Sequence, residues 1–134
     1  MEGSFVGFLY VIVGMLIGGL ATHFLSKDIY RRNDFNQAAK EFTSAFQSEL
    51  TRLKSDPTST YEIIKPALLN HLDACSNFRR FLKGRELDKF DRARKIYYLS
   101  TPPCPNNEDD TKYQDERTAL IERIEELRDF AKRK

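Results

Sequence analysis

The sequence predicts an all-α protein, one N-terminal transmembrane helix followed by a four-helix antiparallel bundle. Three observations carry this. Residues 5–25, FVGFLYVIVGMLIGGLATHFL, run for 21 positions without Asp, Glu, Lys or Arg. Beyond them the chain turns abruptly charged, and apolar residues recur at helical spacing in four successive segments. Nowhere does the alternating apolar and polar pattern of a strand appear.

The apolar segment comes first. A bilayer core needs roughly 20 helical residues at about 1.5 Å each, so residues 5–25 are sufficient to span it. A secretion signal normally opens with a positive region and a shorter apolar run, whereas this segment is preceded by Met1, Glu2, Gly3 and Ser4. Gly19, Leu20 and Ala21 keep a cleavage site in view as the alternative. A core helix of a water-soluble protein is the third option, but the remaining chain is too short to wrap it on every side. Positive charge follows the segment at Lys27, Arg31, Arg32 and Lys40. That asymmetry predicts a retained anchor over residues 1–27, with its N-terminus outside and residues 28–134 in the cytoplasm. Gly3, Gly7, Gly14 and Gly18 fall on one face of this helix, and Thr22 continues the row. Small residues in such a row let two membrane helices approach closely; the competing explanation is that Gly is simply common in membrane helices.

Four amphipathic helices are expected after the anchor. Over residues 28–53, Phe35, Ala38, Ala39, Phe42, Ala45, Phe46, Leu50 and Leu53 make one stripe, with the single charge Glu49 near its end. No Pro or Gly separates this stripe from the anchor, so the two are expected to form one rod of about 45–50 residues. A turn follows at residues 54–60, where Ser59 and Glu62 have capping-box spacing. The next helix is expected over residues 61–83, with Ile64, Leu68, His71, Cys75, Phe78 and Leu82 on one stripe. Pro66 must either kink it or mark its start, and Gly84 is expected to cap its C-terminus. A shorter helix over residues 86–98 carries Leu87, Phe90, Ala93, Arg94 and Tyr97. Residues 100–111, STPPCPNNEDDT, read as a loop. A last helix over residues 113–132 aligns Leu120, Ile124, Leu127 and Ala131, flanked by Ile121 and Phe130. Ten phenylalanines, most of them on these stripes, supply a core.

Composition narrows the function classes. The 134 residues allow one small domain and one further element. The net charge of +2, from 22 basic and 20 acidic residues, creates no whole-molecule field for a polyanion. Two cysteines make no disulfide framework, which suits a reducing compartment. There is no Gly-rich phosphate loop and no repeat.

The segments NDFNQAAKEFTSAFQSEL and ALLNHLDACSNFRRFL, then the pair Tyr97 and Tyr98 and the closing ERIEELRDFAK, resemble a diffuse group of small bacterial proteins of unknown function. In that group a single N-terminal membrane helix, often ending in a basic run like Arg31 and Arg32, precedes a helical domain with a His, a small residue and a Phe-Arg pair. The resemblance implies a bacterial, membrane-anchored helical protein. It brings no catalytic residues.

Candidate chemistry is sparse. His71 and Cys75 stand one helical turn apart and are able in principle to share a metal, but a structural site needs about four ligands and only Asp73, Cys104 or a second chain remain to contribute. The competing reading makes both core residues, with His71 hydrogen-bonded to a buried carbonyl or carboxylate. A buried Cys–His pair on one stripe is also poorly placed for nucleophilic catalysis. Glu125 and Glu126 sit among charges of alternating sign, the pattern of a solvated face. No catalytic residue, cofactor or metal is therefore expected, and the chain is not read as an enzyme.

Positive charge is concentrated between residues 79 and 95. Arg79, Arg80, Lys83, Arg85, Lys89, Arg92, Arg94 and Lys95 face only Glu86, Asp88 and Asp91, a local net of +5. On a tethered domain such a patch suits anionic lipid; no nucleic-acid recognition motif accompanies it; an ordinary mixed-charge surface is the plain alternative. Together these features predict a single-pass protein of the bacterial inner (plasma) membrane that acts as an interaction or scaffold protein. Its expected partners are membrane lipid and either a second copy or another membrane protein. The alternative is a tethered sensor or effector whose bundle rearranges on ligand or partner binding.

Overall fold

Nothing between residues 2 and 55 breaks a helix, since the first proline is Pro57. The computed structural model, which describes residues 2–100 and 110–132, accordingly shows one helix there, α1 (Glu2–Ser55, 54 residues). The expected run-through from apolar segment to first stripe is present, and the helix is slightly longer than expected. The other helices are α2 (Thr60–Ile64), α3 (Leu68–Arg79), α4 (Gly84–Leu99) and α5 (Asp110–Asp129). Among the described residues there is no strand. The chain forms two units, Met1–Phe35 and Asn36–Lys134.

In the first unit every residue from 3 to 25 is exposed, among them Phe5, Phe8, Leu16, Ile17, Leu20 and Phe24. Scattered exposed apolar side chains are ordinary on a protein surface, but an uncharged helix that is apolar all round is not. By length and composition this is the one described segment able to cross a membrane, and none of its apolar window is buried.

In the second unit the stripes turn inward. From α1, Ala39, Phe42, Phe46, Leu50 and Leu53 are buried. The Asp56 carboxylate accepts hydrogen bonds from the Thr58 amide and hydroxyl, forming the turn that ends α1. Ser59 then caps α2, its hydroxyl accepting from the Glu62 amide at 3.2 Å, as the sequence spacing predicts. Pro66 resolves neither as a kink within one α-helix nor as a helix start. It sits in the first positions of a 3-10 turn (Lys65–Ala67) between α2 and α3, where a missing N–H is tolerated because first-turn amides lack an intrahelical partner.

Gly84 also departs from expectation. The α-helical pattern of α3 already stops at Arg79, because the chain must reverse early enough to bury Leu82. Gly84 instead opens α4 with φ +57°, a left-handed conformation that follows the extended Lys83. At the last connection, residues 101–109 of the expected loop lie outside the described residues. Asp110 and Thr111, assigned to that loop from composition, are already helical. An acidic residue is favoured at the positive end of a helix, so a loop-like composition concealed the start of α5.

The core is aromatic. Six of the ten phenylalanines, Phe35, Phe42, Phe46, Phe78, Phe90 and Phe130, are buried. Phe42 stacks on Phe78 with centroids 4.6 Å apart and meets Phe90 edge-on at 5.8 Å, while Phe90 meets Phe130 at 5.4 Å. Burying one such ring contributes about 1.5–3 kcal/mol. An exposed ion pair such as Lys54 with Glu125 contributes about 1 kcal/mol or less, so the rings dominate. As α1 advances from Phe42 to Phe46, its ring partner in α3 moves back from Phe78 to His71 and its partner in α4 moves forward from Phe90 to Tyr97.

Candidate functional site

A polar chain crosses this aromatic core. His71 is fully buried in α3, and its ring stacks on Phe46 at 4.2 Å. Its Nε2 lies 3.2 Å from Glu49 of α1, and its Nδ1 lies 2.7 Å from the Tyr97 hydroxyl of α4. An ionised carboxylate only accepts, which assigns the proton of the neutral ring to Nε2 and makes Nδ1 the acceptor of the Tyr97 O–H. Burial lowers the His71 pKa below its ordinary value, and the Glu49 hydrogen bond opposes that shift. Burial likewise raises the Tyr97 pKa, so its proton stays in place at neutral pH. A neutral His71 thus joins three helices through directional bonds, which rings alone do not provide. The hydrogen-bonded reading of His71 left open a carbonyl or a carboxylate, and the partner is the carboxylate of Glu49; it missed Tyr97, which sequence spacing places on its own helix stripe and nowhere near His71.

Cys75, one turn along α3, is also fully buried. Burial pushes its thiol up to about 11, against the opposing influence of the Tyr98 hydroxyl and Arg94. The thiol therefore stays protonated near neutrality and is a poor nucleophile or metal ligand. The Tyr98 hydroxyl beside it is buried without a well-formed hydrogen bond. Both ring nitrogens of His71 are engaged, and Asp73 is exposed on another face of α3. Among the described residues no group of three or more His, Cys, Asp and Glu side chains is placed to hold a metal ion. Cys104 lies outside the described residues.

The basic residues divide. The Arg79 guanidinium donates two hydrogen bonds of 2.9 Å to Asp91, and Arg94 lies 3.7 Å from the same carboxylate. Arg79 foremost holds the Asp91 carboxyl below its usual range. Arg80, Lys83, Arg85, Lys89, Arg92 and Lys95 are exposed. Arg80 and Lys83 lie in the α3–α4 turn, Arg85 and Lys89 in the first turns of α4, and Arg92 and Lys95 farther along α4.

Gly3, Gly7, Gly14, Gly18 and Thr22 are all exposed on α1, and a Cβ built on any of these glycines meets nothing within 4 Å. At 100° per residue the five positions span about 100° of the helix circumference. The Thr22 hydroxyl donates to the Gly18 carbonyl at 2.8 Å, so its proton is bound within its own helix.

Arg117 of α5 is a contact that sequence reasoning missed. Its Nε donates to the Leu53 carbonyl at 2.7 Å, and its Nη2 donates to the carbonyls of Asp56 and Thr58. A guanidinium thereby satisfies carbonyls that the end of α1 leaves open and places positive charge at the negative end of the helix dipole. No local signal reveals this, since the partners are backbone atoms about 60 residues away. Comparison with protein families, with characterised proteins and with solved structures finds no match for the chain.

Proposed function

We propose that the chain is a membrane-anchored helical interaction or scaffold protein, in which residues 1–27 form a single span and residues 28–134 form an antiparallel four-helix domain in the cytoplasm of a bacterium. The observation that carries this reading is the uncharged helical stretch over residues 5–25, exposed on every side. Such a surface is stable in lipid and costly in water. The order of ring partners along α1, α3 and α4 supports the antiparallel arrangement. The row from Gly3 to Thr22 supports close packing against a second copy or another membrane helix.

The test is fractionation of cells expressing the full chain. The protein is expected to stay with the inner membrane through alkaline carbonate and to be released only by detergent, with its N-terminal residues intact by mass spectrometry. Release by carbonate rules out the span, and loss of the first 20 or so residues identifies a cleaved signal. Crosslinking in those membranes tests the partner: Gly14→Ile with Gly18→Ile is expected to lower dimer yield, and an unchanged yield removes the glycine row from the interface.

A second reading, a tethered sensor whose bundle rearranges, is favoured by the Glu49–His71–Tyr97 chain. Those bonds join three helices through one titratable group.

A further inference from the structure

The α3–α4 turn and the first turns of α4 carry an excess of positive charge, Arg80, Lys83, Arg85 and Lys89 against Glu86 and Asp88, none of them in an ion pair among the described residues. Residues 79–85, RRFLKGR, hold four cations and no acid. Arg79 is bound to Asp91. Arg80, Lys83 and Arg85 are exposed and make no ion pair among the described residues, and the same holds for Lys89 one turn later. Phe81, half-buried between them, adds an apolar edge.

The ring contacts locate this turn within the second unit. Phe42 meets Phe78 and Phe90, whereas Phe46, one turn later, meets His71 and Tyr97. Going from Phe46 to Phe42 therefore leads toward the α3–α4 turn, which lies at the end of the unit where its chain begins at Asn36. The exposed Lys40 belongs to that end, and Phe130 brings the end of α5 to it. Arg117 and the turn after Ser55 lie at the opposite end. In sequence, eleven peptide units join Leu25 to Asn36, a tether that reaches about 40 Å at most whatever its conformation.

We propose that the α3–α4 end, through Arg80, Lys83, Arg85 and Lys89, docks on anionic phospholipid headgroups of the membrane that holds the anchor. The inference rests on the membrane reading above and adds a second, electrostatic contact to it. Each cation close to an anionic surface strengthens attraction roughly fivefold. The short tether keeps the headgroups at high effective concentration, so a few cations are enough. A lipid plane is favoured over nucleic acid because it demands charge and proximity alone, and the turn supplies both without base-reading side chains.

The test is hydrogen exchange of the full chain in nanodiscs of phosphatidylcholine alone and of phosphatidylcholine with 30% phosphatidylglycerol. Amides of residues 80–85 are expected to exchange about fivefold or more slowly in the anionic discs. The difference is expected to vanish in 1 M salt, where the screening length falls to about 3 Å. It is also expected to vanish in the Arg80→Gln, Lys83→Gln, Arg85→Gln variant and to survive when Arg80 and Arg85 are replaced by Lys. Equal exchange in both discs at low salt, with the protein still inserted, overturns the docking and leaves the anchor reading intact. Slowing by added duplex DNA in neutral discs, without slowing by anionic lipid, assigns the turn to nucleic acid and overturns it as well. Failure of the chain to remain in either disc overturns the anchor and the docking together.

Discussion

Two adjacent tyrosines should respond very unequally to the loss of one oxygen. Tyr97→Phe preserves the ring contacts of Tyr97 with Phe46 and removes the hydroxyl that donates to His71 Nδ1. That nitrogen is fully buried, so it becomes an unsatisfied acceptor in the core, at a cost of about 1–3 kcal/mol. For a helical unit of this size each kcal/mol lowers Tm by roughly 4–8 °C, which places the expected loss at about 4–24 °C. Tyr98→Phe removes a hydroxyl that is buried without a well-formed hydrogen bond, and should change stability by about 0.5 kcal/mol or less, with stabilisation as acceptable an outcome. The assay is thermal unfolding of the full chain in detergent micelles, followed by circular dichroism, for the two variants and the parent side by side. A Tyr97→Phe midpoint within 2 °C of the parent, or a larger loss for Tyr98→Phe, would refute the assignment of Nδ1 as the core acceptor.

Three further outcomes are expected. Because the folded-state pKa of His71 is lowered, the unfolded chain takes up this proton first as pH falls; stability is full above about 6.5 and declines below it, and His71→Gln should flatten that decline in pH-dependent unfolding curves. Arg117→Met should lower stability by about 1.5–3 kcal/mol through loss of its charged bonds to the Leu53 and Thr58 carbonyls, with Arg117→Lys recovering only part in urea titrations. Gly84→Ala meets no steric neighbour, yet its φ of +57° should cost about 1–2 kcal/mol, and Gly84→Asn should cost less by the same measurement.

Much of the helical plan is legible from spacing because each stripe depends on residues three and four apart. Phe42, Phe46, Cys75, Phe78, Phe90, Leu120, Ile124 and Leu127 all lie where a period of 3.6 places them, and all are buried. What sequence reasoning missed depends on distance or on competition. The Tyr97 bond to His71 and the Arg117 bonds to the end of α1 join residues 26 and about 60 positions apart, which no local pattern records. Pro66 and Gly84 are local signals with several outcomes. A proline is compatible with a kink, a helix start or a 3-10 turn, and the burial of Ile63 and Ile64 before it and His71 after it decides among them. Gly84 is compatible with the end of one helix or the start of the next, and the burial of Leu82 just before it decides that.

The proposed anchor accounts for a change of pattern inside one uninterrupted helix. From residue 3 to 25 α1 is apolar around its whole circumference, and its side chains are exposed. From Phe35 onward it is apolar on one stripe only, and that stripe is buried while Lys40, Glu41, Gln47 and Ser48 are exposed. Propensity does not explain the change, since both parts are helical. A helix apolar all round suits a medium in which burial in protein brings no advantage, and a helix with one apolar stripe suits water. Lys27, Arg31 and Arg32 fall between the two patterns, where a helix leaving lipid for an aqueous phase would carry them. Replacing these three by Glu should therefore disturb the orientation of the anchor without altering the aromatic core. A protease-protection assay that finds the native orientation in that variant would remove the positive flank as its cause.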